Sequence, residues 1–397
     1  MVSSSTIHRP AGLRETRDAL VEAARAGASV ECAGGGASAP WARGRGSANL
    51  VLDTTSLTAP LIHEAGDLTV LAGAGVLLSE LQAELAGAGQ FLALDPPSAR
   101  RGATLGGVMS SGDAGPLRHR YGTLRELVIG VTVVLADGTV ARSGGRVIKN
   151  VAGYDLAKLF CSAYGSLGLV ADLWLRLHPL PERRCTVRVE ATAAEAGGLV
   201  LAVLASPLEP SALDFCRGAC WARFEGTAAG TQAQAEAAVG LARGSGLEAE
   251  VLGGDEDAAA WEQVATATSG GAFEGDGVTV LRAVTLPSEL EAADTALQRA
   301  GQGAGVQVEL ASHAGIGVHT GRLTGGDAAA HAIVLASWRD FIADRGGSVS
   351  VRQHPPDLDD PALLAGPPPP GLEVMRRVKK VFDPDGRLAP GRFSPWF

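Results

Sequence analysis

Residues 95–181 read DPPSARRGATLGGVMSSGDAGPLRHRYGTLRELVIGVTVVLADGTVARSGGRVIKNVAGYDLAKLFCSAYGSLGLVADLWLRLHPLP. Two strands stand out, Leu127–Leu135 and Leu169–Leu177, both runs of β-branched and apolar residues. Around them the backbone is bared again and again by glycine. Asp95-Pro96-Pro97 opens the stretch as a rigid, extended piece lacking two N–H donors. Thr104-Leu105-Gly106-Gly107 follows, then Ser110, Ser111 and Gly112. Glycine lets the main chain press against a flat or phosphorylated ligand, and hydroxyls donate to phosphate oxygens or ring carbonyls. Asp137-Gly138 signals a hairpin into Thr139-Val140, and a short helix is expected over Asp155–Ser162. Pro179 and Pro181 close the unit, so a domain boundary is placed at residue 181. Few side chains in this stretch perform chemistry unaided. The pattern describes a surface that holds something large and anionic.

Upstream, Leu13–Ala26 reads as a helix stopped by Gly27. A strand over Ala28–Cys32 then runs into Gly34, Gly35, Gly36, Ala37 and Ser38. The pattern Gly34-x-Gly36-x-x-Ala39 mimics a Rossmann fingerprint, but that motif needs a helix at once, with its N-terminus facing a diphosphate. Pro40, Gly44 and Gly46 exclude such a helix. Consecutive glycines can instead turn several N–H groups toward a phosphate as a nest. Leu50–Asp53 and Leu68–Ala72 read as strands, and Leu77, Leu78, Leu81 and Leu85 recur at helical spacing as core.

The 397 residues exceed one ordinary domain, and 46% hydrophobic with 19% charged residues supplies a packed core. A formal net charge of -9 argues against nucleic acid or an anionic membrane as partner. No apolar run approaches a membrane span, and the N-terminal residues lack the apolar core of a signal peptide. Cys32, Cys161, Cys185, Cys216 and Cys220 are scattered and complete no zinc or iron–sulfur pattern. A reduced cytoplasmic protein is expected, with any membrane contact made through a partner.

The glycine loop, DPP, TLGG, YGTLRELVIGVTVVLADG, KNVAGYDLAKL and YGSLGLV, in this order, resemble the vanillyl-alcohol-oxidase type (PCMH-type) FAD-binding family. The resemblance implies an α+β fold: two subdomains holding FAD between them, about residues 1–60 and 61–181, and a cap domain over the flavin. Within the family, GGRVIKNVAGYDLAKLF is most similar to the FAD-binding subunits of bacterial glycolate oxidases, which assemble with a catalytic flavoprotein paralogue and an iron–sulfur subunit. Carried over residue by residue, Gly34 to Ser38 would bind the diphosphate. Pro97, Thr104, Leu105, Gly106, Gly107, Ser110, Ser111 and Gly115 would line the flavin and its phosphates. Asn150, Gly153 and Tyr154 would sit nearby, and Gly168 and Val170 would lie by the adenine. Relatives with covalent FAD use a histidine where this chain has Ala37 and a cysteine in a segment matching Leu105–Gly115, which has none. Non-covalent FAD is expected.

Residues 182–345 are expected to form a ferredoxin-like α+β cap, with strands over Thr186–Glu190, Leu199–Ala205, Trp221–Glu225 and Val278–Thr285 and helices over Gln232–Arg243 and Leu290–Ala300. Residues 346–397 are expected to return to the FAD domain through a Pro-rich linker, a helix whose basic face opposes Leu372, Met375, Val378 and Phe382, and Arg387–Phe393. Similar 2-hydroxy-acid dehydrogenases grip the substrate carboxylate with a strand arginine, a place matched by Arg282 in TVLRAVTLP. They also carry HxGDGNxH and a later Glu-His pair, binding a divalent metal and supplying the base. Here the first reads His313-Ala314-Gly315-Ile316-Gly317-Val318-His319, and Arg352-Gln353-His354 replaces the second. A guanidinium repels a divalent cation, so no metal is expected and the three histidines read as structural or solvent-facing rather than as ligands. The resulting expectation is an FAD-binding subunit of a complex oxidising a small 2-hydroxy acid, glycolate, in which the flavin relays electrons. A stand-alone dehydrogenase and a flavin-free scaffold are the alternatives.

Overall fold

A computed structural model describes residues 5–37, 48–149, 153–269 and 277–397. Ser38 and Asn150, two of the expected cofactor contacts, lie outside the described residues. The chain divides into two compact units: Met1–Ala114, Tyr121–Leu180 and Pro367–Phe397 form the first, Gly115–Arg120 and Pro181–Gly366 the second.

The first unit opens with β1 (Thr6–His8), α1 (Leu13–Arg25), β2 (Val30–Ala33) and β3 (Leu50–Asp53). These strands form a parallel sheet with β3 in the middle. Gly27, at φ +63°, supplies the left-handed residue that turns the chain out of α1. There follow β4 (Leu61–Glu64), β5 (Thr69–Gly73), α2 (Leu78–Ala86), β6 (Gln90–Phe91), α3 (Leu105–Ser111), α4 (Arg118–Tyr121, all but its last residue belonging to the second unit), α5 (Leu124–Leu127), β7 (Val128–Val134), β8 (Val140–Gly144), α6 (Ala157–Phe160), β9 (Leu169–Arg176) and β10 (His178–Pro179). An antiparallel sheet runs β4-β5-β9-β7-β8. Along β9 buried and half-buried residues alternate, as the period of two requires. One core serves both sheets: Leu20, Val30 and Leu52 pack with Val134, Leu169 and Ala171.

The segment Leu105–Ser111, expected as bare backbone, is a helix. Thr104 caps it, its Oγ1 accepting from the Gly107 N–H at 3.2 Å. Two glycines in a helix cost about 1 kcal/mol each relative to alanine. Burial of Leu105, Val108 and Met109 offsets that cost, which is tertiary context overriding local preference.

The second unit holds β11 (Arg183–Glu190), α7 (Ala193–Leu204), β12 (Ala212–Cys216), β13 (Ala219–Gly226), α8 (Ala228–Gly244), β14 (Ala249–Gly253), α9 (Asp255–Thr268), β15 (Thr279–Val284), α10 (Leu290–Ala304), β16 (Gln307–His313), β17 (Val318–Thr324), α11 (Ala328–Ala343), β18 (Ser348–Gln353) and α12 (Pro361–Ala365). Its eight strands lie in the order β14-β11-β13-β12-β16-β17-β15-β18. This is a ferredoxin-like βαββαβ motif used twice, β11 to β14 and β15 to β18, with α9 between the copies. Only one residue pair, Phe215 and Ser312, joins the copies in the strand register. The strand expected over Leu199–Ala205 is instead the second half of α7. Thr192 and Glu195 form a capping box, and Leu199, Val200 and Val203 are buried at helical spacing. A short apolar run alone does not distinguish the two.

Past α12 the chain rejoins the first unit at Pro367 and forms α13 (Leu372–Phe382). Lys379, expected on the outer basic face, points inward. Its Nζ donates to Ser166 O at 2.8 Å, Leu388 O at 2.9 Å and Asp383 Oδ2 at 2.6 Å. Beyond it residues 387–389 run beside β2, the Val30 N–H donating to Arg387 O and the Ala389 N–H to Val30 O, each at 2.8 Å. In the second unit Trp338 is fully buried and its Nε1–H donates to Ala293 O at 3.0 Å, tying α11 to α10. Trp338→Ala should destabilise this unit by about 3–5 kcal/mol, read as a lower denaturant midpoint in urea unfolding.

Candidate cofactor site

The site begins where β2 runs out of hydrogen-bonded strand. At Gly34 and Gly35 the backbone presses on residues 102–104 so closely that side chains are excluded. A Cβ on Gly35 would lie 2.1 Å from Gly102 O, and one on Gly34 would lie 2.6 Å from Thr104 Oγ1. Gly36 completes the turn at φ +75°. Thr54 Oγ1 donates to Ala33 O at 3.0 Å, and Arg101 Nη2 donates to Ala37 O at 3.2 Å, so both ends of the loop are held. The loop and α3 enclose a cavity of about 130 Å³.

Of the expected contacts, Gly34, Gly35, Gly36, Ala37, Thr104, Gly107, Ser110 and Ser111 line this cavity. The Ser110 and Ser111 hydroxyls both donate back to Gly107 O, at 3.3 and 2.8 Å, so each presents an acceptor rather than a donor. Leu105 is fully buried core, and Gly106 packs on Ala74, where a Cβ would come within 2.9 Å. Pro97 starts the turn Pro97–Arg101, whose Ser98 N–H donates to Asp113 Oδ2 at 3.2 Å. Gly168 lies against Val134 O, and Val170 is paired with Val133 in the sheet. Gly115 belongs to the second unit. Gly153 and Tyr154 line a separate cavity of about 170 Å³ with Glu126, Asp155, Lys158 and Arg176, and Tyr154 is 93% exposed.

Sequence reasoning missed Glu31, Cys32, Ala33, Ala103, Tyr164, Ala389 and Arg392 in the first cavity. Tyr164 and Arg392 sit inside YGSLG and APGRF, far apart in sequence, and no local pattern marks their side chains as lining one cavity. Burial pushes the Cys32 thiol up to about 12, far from a reactive thiolate. A glycine-floored cavity whose wall carries hydroxyl oxygens, the Arg392 guanidinium and the Glu31 carboxylate is a candidate seat for the diphosphate of a dinucleotide.

In the second unit His313, His319 and His354 are bonded to protein. His313 Nδ1 lies 3.0 Å from Asp214 Oδ2, both side chains almost wholly buried. Gly315 leaves room for the ring of His119, since a Cβ there would lie 2.5 Å from its Cε1. Burial holds the His119 pKa down, with the Asp214 charge opposing and His313 reinforcing the shift. His319 sits between Thr285 Oγ1 at 2.8 Å from Nε2 and Ser312 Oγ at 2.9 Å from Nδ1. Thr285 gives its own proton to Leu286 O, so Nε2 carries the ring proton and Nδ1 accepts from Ser312. His354 is buried, its Nδ1 2.9 Å from Pro355 O. Arg282 lies in β15 opposite Thr320 and Ser350, half-buried, on the sheet face away from the main helical core that takes Leu281 and Ala283. Among the described residues no cluster of three or more His, Cys, Asp or Glu is arranged to hold a metal ion, and no helix is long and apolar enough to cross a membrane.

Residues 5–144 match the family described as FAD binding domain, and residues 209–393 match that described as FAD linked oxidases, C-terminal domain. Glycolate oxidase subunit GlcE of Escherichia coli (strain K12) is 33% identical over 222 residues, covering 56% of this chain and 59% of that protein. Glycolate oxidase subunit GlcD of Bacillus subtilis (strain 168) is 33% identical over 150 residues, 38% of this chain and 32% of that protein. D-lactate dehydrogenase of Archaeoglobus fulgidus is 26% identical over 377 residues, 86% of this chain and 81% of that protein. An alkyldihydroxyacetonephosphate synthase structure superposes with TM-score 0.71 at 15% identity over 97% of this chain and 75% of that one, a likeness of fold alone.

Gly35→Ala should leave the far-ultraviolet circular dichroism unchanged and weaken FAD binding to the apoprotein at least tenfold, because the loop must move off Gly102. Burial, with repulsion from His313, lowers the His319 pKa to about 4. The unfolded chain titrates this group near ~6.5, so it binds a proton between those values that the folded unit refuses. Stability therefore falls as pH drops from 6.5 to 4, by on the order of 3 kcal/mol in full. His319→Gln should flatten that part of the stability–pH profile, measured by urea unfolding at each pH.

Proposed function

We propose that the chain, matched by an FAD binding domain and by the C-terminal domain of FAD linked oxidases, is the FAD-binding, electron-relaying subunit of a complex that oxidises a small 2-hydroxy acid, glycolate before others. Bound FAD supplies a two-electron acceptor that passes electrons on singly or in pairs. The glycine loop Gly34–Ala37, with Thr104, Gly107 and Ser110, holds its diphosphate. Leu105, Gly106, Pro97 and Gly168 keep that wall in place, and Val170 lies toward the adenine. Attachment is non-covalent, in keeping with Ala37 in the loop and the unreactive Cys32 thiol.

One observation carries the relay reading: the two histidines best placed in sequence to serve substrate are occupied. His313 is bonded to buried Asp214, and His319 is bonded on both ring nitrogens and fully buried. A base that takes a substrate hydroxyl proton must reach it. Such a subunit works beside a catalytic flavoprotein paralogue, and an iron–sulfur subunit is the one-electron outlet. The two glycolate oxidase relatives support the subunit assignment by name, and the chain spans 59% of the first and 32% of the second.

A second reading, a stand-alone 2-hydroxy-acid dehydrogenase, rests on Arg282, whose guanidinium suits a carboxylate, and on the match to a D-lactate dehydrogenase over 86% of this chain. The test compares dye-linked oxidation of glycolate and D-lactate by the flavin-loaded chain alone and after co-expression with a catalytic paralogue. The relay reading expects turnover only with the paralogue. Turnover by the chain alone, abolished by Arg282→Leu, decides for the second.

A further inference from the structure

We propose that the outer groove between α10 and α11 is a contact surface for a second copy of this chain, the two copies of α10 packing antiparallel about a twofold axis at Thr295. All of the surface belongs to the second unit, and none of it depends on bound flavin.

The groove is the side of the helix pair that the sheet does not cover. α10 gives Leu290, Ala293 and Leu297 to the core, and α11 gives Val334, Leu335, Trp338 and Ile342. Between the two helices an open groove of about 800 Å³ remains. Ile333 lines it from α11 and is 60% exposed. Covering that side chain in both copies removes apolar surface from water, which favours association.

The charges of α10 say what covers it. Glu291, Thr295 and Arg299 follow one another at steps of four on one face of the helix, and all three line the groove. Glu291 and Arg299 are about 12 Å apart along the axis, too far to pair with each other. Both are exposed, and neither makes an ion pair or a side-chain hydrogen bond among the described residues. The other charged residues lining the groove, Glu289 and Arg345, are paired with each other at 3.1 Å. The outer face of α10 therefore runs negative, neutral, positive, in equal steps about Thr295. A twofold axis there reverses the order and lays Glu291 of each copy against Arg299 of the other, giving two ion pairs in one contact.

That antisymmetry selects a second copy. A partner of unrelated sequence is under no constraint to meet opposite charges at equal steps from one centre. A chain of net charge -9 repels its own kind except where local charges complement each other, as they do here. Thr295 at the centre, with Ala292 and Ala296 beside it, is short enough to let two helices approach closely.

The experiment is sedimentation velocity of the full chain over about 1–100 μM, at low and high salt, with Glu291→Arg, Arg299→Glu and the double variant beside the wild type. The wild type is expected to dimerise, with a dissociation constant that rises with salt. Each single reversal sets like charges opposite each other twice and is expected to raise that constant about tenfold or more. The double variant restores opposite charges at both pairs and is expected to return it to within about threefold of the wild type. Such recovery separates lost association from damaged folding, which a second substitution would only worsen. A wild type that stays monomeric throughout the range overturns the proposal. Dimers indifferent to the single reversals, or losses that the double variant does not recover, overturn it equally.

Discussion

Between Gly35 and Gly102 there is no room for a single carbon atom: a Cβ would sit 2.1 Å from the Gly102 carbonyl oxygen. Most of the candidate site depends on this close approach. It sets the glycine loop against Thr104, whose hydroxyl oxygen serves as the wall beside Gly34 and as the cap of α3. With the loop seated, α3 presents Gly107, Ser110 and Ser111 to the same small cavity. The core shared by the two sheets, Leu20 and Val30 with Val134 and Leu169, holds the partners of that contact in register. Glycine here is a packing requirement first, and ligand access follows from it.

The second unit shows the opposite economy. It builds one sheet from two copies of a βαββαβ motif and buries His313 and His319 in bonds to protein. Asp214 of one copy and His313 of the other flank the single register pair between them, Phe215 and Ser312, so a side-chain bond lies at the seam. His319, one strand over, is neutral at ordinary pH and bonded on both nitrogens. These residues hold the sheet together, and a sealed histidine pair cannot exchange protons with a substrate as an accessible one does.

Much of this was legible from residue order. Consecutive glycines after a strand, Asp-Pro-Pro, and Asp137-Gly138 carry backbone constraints that hold in any tertiary context, and the resemblance rested on them. Where packing decides, the reading failed: α3 forms in spite of two glycines, and Leu199–Leu204 is helical although its composition suits a strand. The duplication in the second unit was invisible because the two copies share topology rather than sequence. Tyr154, in the well-marked KNVAGYDLAKL motif, lines a different cavity from the glycine loop, whereas Tyr164 and Arg392 line the loop's own cavity. Contacts brought together from residues 31, 164 and 392 have no local signature.

The proposed relay role requires a bound flavin that is not reduced directly by a hydroxy acid. Rapid anaerobic mixing of the flavin-loaded chain with excess glycolate, followed by visible absorbance of the flavin, tests it most directly. The account predicts that the oxidised spectrum persists with glycolate and bleaches fully with dithionite. Fast bleaching by glycolate alone would contradict it.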